Sequence, residues 1–127
     1  MIESGNLFSD IPEQLTEEWF EPLVRERTVR IERIVSRGQS TATGFWYDQE
    51  DREWVLLLKG TATIRFADGR SINLRPGDYL LIPSHERHRV EKTDPTAETI
   101  WLAVHFSEGS TVPRHNSPVF KKISVAK

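Results

Sequence analysis

The chain has 127 residues, of which 37% are hydrophobic and 28% charged, with a formal net charge of −2 and no cysteine. That length and composition suit one soluble domain with one core. The missing cysteines exclude disulfides and thiolate metal sites and fit a cytoplasmic address, while the absence of a basic excess argues against nucleic acid as a partner.

Arg25, Arg27, Arg30, Arg33 and Arg37 lie close together, but Glu26 and Glu32 are interspersed, which reads as a mixed solvated face. The densest apolar run, Val55 to Leu58, is far too short to cross a membrane, and the first ten residues lack the pattern of a signal peptide. In chain order, residues 11–23 carry a helical signal: Ile11, Leu15 and Trp19 recur every four residues, Asp10 can cap the start and Pro22 ends it. From Thr28 the period changes to two. Strands are expected through Val29 to Val35, Thr41 to Tyr47, Trp54 to Lys59, Ala62 to Phe66, Ile72 to Leu74, Tyr79 to Ile82, His88 to Thr93 and Thr99 to Phe106. Asp68-Gly69 is a hairpin signal, and Pro76-Gly77-Asp78 and Asp94-Pro95 mark further turns. About eight short strands at regular spacing indicate a β-sandwich or barrel. The tail from Ser107 onward, with Pro113 and Pro118, reads as a loose arm or an edge strand at Val119 to Val125.

Two strands are apolar on both faces. Val55 and Leu57 share a face with Glu53, while Trp54, Leu56 and Leu58 occupy the other. In the last strand Ile100, Leu102, Val104 and Phe106 oppose Trp101, Ala103 and His105. An outer apolar face needs cover, so a homodimer is expected. If the face with four apolar residues is the core, His105 points outward. His115 reads as a surface residue, and Trp54 as packing.

At Glu53 a family pattern emerges. Glu53 to Gly60 resembles the end of the first cupin motif, in which six residues separate a glutamate from a glycine, as here. Leu74 to Pro83, with its Pro-Gly-Asp turn, resembles the hairpin leading into the second motif, whose histidine falls on His88. The resemblance spans roughly residues 30–106. It implies a cupin-type double-stranded β-helix, or jelly-roll barrel, with the short helix added at its N-terminus: an arm and helix at 1–27, a barrel at 28–106 and a tail at 107–127. The first motif's two histidines are missing. Their places fall on Tyr47 and Gln49, or on Trp46 and Asp48, and the second motif's glycine is replaced by His85.

Of the family's three-histidine, one-glutamate metal set, Glu53 and His88 are retained. Gln49 is the third ligand taken here, with Asp48, Tyr47 and His85 as other candidates. Such a set would suit one weakly held divalent ion: zinc, manganese or iron(II). Against this stands a reading in which Glu53 accepts hydrogen bonds from His88, Tyr47 or Gln49 inside the barrel. The resemblance also implies a small-molecule ligand in the barrel mouth, near Trp46, Tyr47, Gln49, Glu53, His85 and His88. Three functions are open. One is a metal-dependent cupin enzyme of oxygenase or isomerase type using His88 and Glu53. Another is a metal-free acid–base pair of the same residues. The third is a binding module without catalysis.

Overall fold

The computed structural model describes residues 1–107; the expectations for the tail and for His115 lie outside the described residues. Eight strands follow in order: β1 (Trp19–Arg25), β2 (Val29–Ser36), β3 (Arg52–Lys59), β4 (Ala62–Phe66), β5 (Ser71–Leu74), β6 (Tyr79–Ile82), β7 (His88–Thr93) and β8 (Thr99–Phe106). They form a five-stranded sheet, β1-β2-β8-β3-β6, facing a three-stranded sheet, β5-β4-β7, with antiparallel pairing throughout. This is the jelly-roll arrangement expected of alternating strands joined by tight turns. Pro76-Gly77-Asp78 turns as expected: Gly77 takes a φ of +94°, and the Asp78 carboxylate accepts from the Arg75 amide at 2.9 Å.

The core lies between the sheets. Val55 and Leu57 of β3, Ile64 and Phe66 of β4, Leu74, Leu80, Ile82, Ile34, Trp101 and Ala103 form one buried cluster. Alternation within each strand delivers these side chains to one face.

Two expectations are corrected. No helix forms among the described residues; residues 19–25 instead add β1 to the edge of the five-stranded sheet. The segment expected to be helical is an extended arm followed by β1, which pairs along β2 from Trp19 opposite Val35 to Arg25 opposite Arg30. The physical reason lies in the carbonyls. A helix would use them internally, but here side chains of the barrel take them. Arg33 donates to the carbonyls of Leu7 and Ser9, Arg37 to those of Pro12 and Glu13, and Gln39 to that of Leu15. Arg33 also pairs with Glu21 at 2.7 Å and stacks over the Trp19 ring. The second correction is Thr41 to Tyr47. It is not a strand; only Tyr47 bridges, opposite His88.

The outer face of the five-stranded sheet is apolar. By register, Trp54 stands opposite Leu81 and Val104, and Leu56 opposite Tyr79 and Leu102. The arm covers one end of the sheet, where Val35 and Ile100 are fully buried. At the other end Tyr79 and Leu81 are exposed and Trp54, Leu56, Leu102 and Val104 half-buried.

Candidate functional site

The inward faces of β2, β3, β7 and β8 meet around a cavity of about 290 Å³ between the sheets. Its walls combine apolar side chains, among them Ile34, Val55, Ile64 and Trp101, with Glu18, Arg30, Glu32, Tyr47, Gln49, Glu53, His88 and His105. The volume sits at the small end for ligand sites and suits a molecule of monosaccharide size.

Glu53 is the centre of the polar set. It follows Arg52 on β3 and faces inward with Val55 and Leu57, as alternation requires. His88 opens β7, and its Nε2 lies 3.4 Å from Glu53 Oε1. Gln49 donates to the same oxygen at 3.3 Å. On the other side His105 Nε2 lies 3.7 Å from Glu53 Oε2 and 3.0 Å from Glu32 Oε1. The result is a continuous chain, His88–Glu53–His105–Glu32, of which all four members are buried.

The proton on His88 can be placed by donor and acceptor logic. Its Nδ1 sits 2.7 Å from the Glu86 carbonyl, which only accepts, so Nδ1 carries hydrogen. Its Nε2 then faces a carboxylate and would present a lone pair to it unless a further proton lies between them. With a proton on it, Nε2 donates to the Glu53 carboxylate, which favours the charged imidazolium. The pKa follows: burial pulls the imidazole down, but the bonds to Glu53 and to the Glu86 carbonyl outweigh it, leaving His88 above the ordinary histidine value. A raised histidine contributes stability in full below its unfolded pKa of about 6.5 and loses it as pH rises through the folded value. Unfolding free energy is accordingly expected to decline from about pH 6 upward, measured by urea titration across pH, and a His88→Gln variant is expected to show a flatter profile in that window.

Glu18, just before β1, accepts from Ser36 Oγ at 3.1 Å. Burial holds its carboxyl above the usual range, opposed by the Ser36 bond and reinforced by Glu53. Tyr47 is pushed up to about 12, first by burial and then by the carboxylates of Glu18, Glu53 and Glu32, so it remains a neutral phenol. Its ring stacks on that of His88, with centroids 5.6 Å apart.

Among the residues expected from sequence, Glu53, His88, Gln49 and Tyr47 come together in the cavity. Trp46 and His85 do not line it. Trp46 lies under the guanidinium groups of Arg87 and Arg89. His85 is exposed, bonded through Nδ1 to Asp48 Oδ1 at 2.8 Å, and its φ of +58° shows why a glycine suits that turn. His105 is a correction: it points into the barrel, because the face shared with Trp101 and Ala103 is the core face of β8. Glu18 and Glu32 were not among the expected site residues. The signal available was a polar residue two positions from Ile34 for Glu32, and two from Ala103 for His105, on the same strand face.

The expected metal ligands fit a metal poorly. Gln49 turns its amide N–H to Glu53, and His88 faces the same carboxylate, so these groups are committed to one another rather than converging on an ion. No group of three or more His, Asp or Glu able to hold a metal is present among the described residues.

Comparison with known proteins gives three findings. The family profile described as a cupin domain matches residues 34–105. No curated protein matches the chain. Among solved structures, a protein from Ralstonia eutropha JMP134, provisionally called a mannose-6-phosphate isomerase, is 44% identical with a TM-score of 0.80, over 84% of this chain and 99% of that one. A cupin superfamily protein from Desulfitobacterium hafniense DCB-2 is 22% identical with a TM-score of 0.65, over 77% and 84% of the two chains. The cupin domain of Schizosaccharomyces pombe Cnp3 is 11% identical with a TM-score of 0.69, over 83% and 69%.

Proposed function

The chain belongs to the cupin domain family, and from that premise we propose that its barrel binds a small hydroxylated carbonyl compound and moves a proton on it, as an isomerase does. The observation that carries the reading is the buried pair of His88 Nε2 and the Glu53 carboxylate, 3.4 Å apart on the wall of the cavity. Acid–base work needs a group that holds a proton near working pH and a partner to exchange it with. The relative provisionally called a mannose-6-phosphate isomerase supports this class of reaction.

The balance is simple. The C–H bond beside the carbonyl breaks and its proton passes to the His88–Glu53 pair. The electron pair becomes the double bond of an enediolate, with charge on the former carbonyl oxygen. The hydroxyl proton of the adjoining carbon passes to that oxygen, and return of a proton to the former carbonyl carbon gives the isomer, so no oxidant or second substrate is consumed. His105, held by Glu32, lies across Glu53 on its far side.

The test is deuterium wash-in. Mannose 6-phosphate, fructose 6-phosphate and the unphosphorylated sugars are incubated with the protein in heavy water, and deuterium at the carbons beside the carbonyl is read by NMR. Exchange that survives chelator treatment supports the reading. Exchange lost on chelation and restored by zinc, manganese or iron(II) would give the role to a metal on Glu53, His88 and Gln49. No exchange with any member of the set would leave a binding module.

The half-covered outer face around Trp54, Leu56, Tyr79 and Leu81 is assigned in the same proposal to a second copy of this chain. At Trp54 and Leu56 the pairing runs in register across β6, β3 and β8, and an apolar sheet face of that kind can match itself across a two-fold axis. Light scattering is expected to give twice the chain mass for the parent and the single-chain mass for Leu81→Glu. A monomeric parent would remove the assignment.

A further inference from the structure

Three carboxylates line the cavity, and among the described residues one of them, Glu18, has no cation against it. Glu32 is met by Arg30 at 3.8 Å and by His105 at 3.0 Å, and Glu53 by His88 at 3.4 Å. Glu18 stands just before β1 and continues the register in which Trp19 meets Val35 and Phe20 meets Ile34. Its side chain therefore faces inward with those of Phe20, Ile34 and Ser36. There it has only the Ser36 hydroxyl, bonded to Oε2 at 3.1 Å. Its Oε1 is unbonded and keeps accessible surface.

The cations complete the picture. Arg30, His88 and His105 are the basic side chains of the wall, and each already lies against Glu32 or Glu53. None is left over for an anion. A neighbouring basin of about 420 Å³ shares Arg30, Glu32 and His105 with the cavity and adds Arg25 and Arg27. Glu26 and Asp51 stand among them, so the arginines there are matched by carboxylates. The charge on Glu18 also reaches across the cavity: after burial itself, it is the first of the carboxylates that push the Tyr47 phenol up. An entering phosphate or carboxylate would leave water, find no free cation and meet that charge. A sugar hydroxyl donates to the open Oε1 and adds no charge of its own.

We propose that the barrel takes uncharged polyhydroxy carbonyl compounds and rejects their anionic counterparts, and that Glu18 makes the distinction. The inference rests on the small-molecule part of the function proposed above and narrows its ligand class. Glu18 acts in two ways: its open oxygen accepts from a hydroxyl of the right ligand, and its charge repels the wrong one. Discrimination between close analogues commonly joins an attractive element to a repulsive one.

The experiment is a set of ¹H–¹⁵N NMR titrations of the labelled full chain at about pH 8, above the ordinary carboxylate range. The probes are mannose, mannuronate and mannose 6-phosphate. Mannuronate carries a carboxylate where mannose carries a hydroxymethyl group, so these two differ in charge at nearly equal size. The phosphate ester adds bulk as well as charge. Mannose is expected to bind the parent about tenfold more tightly than either anion. Glu18→Gln keeps the shape and an acceptor oxygen but loses the charge, and is expected to bring mannuronate within about threefold of mannose. Glu18→Lys is expected to reverse the order, so that mannuronate binds more tightly than mannose. Thermal melts of both variants establish that they are folded.

Either anion binding the parent as tightly as mannose does would overturn the inference, and that comparison needs no variant. So would a preference that persists unchanged in folded Glu18→Gln protein, which would give the rejection to the shape of the cavity or to its other carboxylates. Binding of none of the probes would overturn it together with the ligand class. The expected selectivity without deuterium exchange would instead leave the inference intact and remove the catalytic reading alone.

Discussion

Glu53→Ala is expected to lower the unfolding free energy by about 3 kcal/mol and to abolish deuterium exchange. Glu53 is buried and touches Gln49, His88 and His105. Removing one partner of a buried ionic set typically costs about 3–5 kcal/mol because the remaining charge has no counterpart. The lower end applies here, since the adjoining cavity can admit water to the groups left behind. Glu53→Gln separates stability from chemistry. It keeps the shape and loses less stability, about 1–2 kcal/mol, because hydrogen bonding is partly retained. It cannot share a proton with His88, so exchange should be lost to the same extent. Urea unfolding and wash-in of the two variants decide the matter: a Glu53→Gln protein with parental exchange would remove Glu53 from the proton path.

Gly60→Ala is expected to be as damaging although it adds one methyl group. Gly60 follows the irregularity in the β3–β8 pairing between Leu57 and Lys59, and has a φ of +82°. A Cβ there would lie 2.5 Å from Thr99 Oγ1, 2.6 Å from the Glu98 carbonyl and 2.8 Å from the Thr99 Cα. Two of these three atoms are backbone and cannot step aside. Thr99 is itself fully buried, with its hydroxyl donating to the Thr61 carbonyl. Left-handed backbone strain costs about 1–2 kcal/mol and overpacking about 1–3 kcal/mol. A combined loss of roughly 3–4 kcal/mol is expected from denaturant titration. A loss below about 1 kcal/mol would show that β8 can move aside.

The barrel was legible in the sequence because its signals are local. Alternation in Ala62 to Phe66, the Asp68-Gly69 hairpin and the Pro-Gly-Asp turn each fix a few residues without reference to distant ones. The site was half legible. Glu53 and His88 stand at spacings the chain carries on its surface, so to speak, relative to Gly60 and Pro83. Glu32 and His105 were not found because alternation defines two faces without saying which is inside. Counting apolar residues on β8 favoured Ile100, Leu102, Val104 and Phe106, yet these lie on the outer face of the sheet, under the arm at one end and half-exposed at the other. The deciding fact is non-local: the register that sets His105 opposite Glu53 and Ala103 opposite Val55. The arm failed for a related reason. The four-residue spacing of Ile11, Leu15 and Trp19 was real, but weak local helical preference lost to partners far along the chain.

That last competition has a consequence for how the N-terminal region stores its conformation. The barrel grips the arm through the arm's main-chain oxygens at residues 7, 9, 12, 13 and 15, and the gripping groups belong to Arg33, Arg37 and Gln39. Every residue type offers the same carbonyl. The path of the first fifteen residues is therefore written largely in three side chains that lie outside it, and the arm's own sequence is free to drift while its course stays fixed.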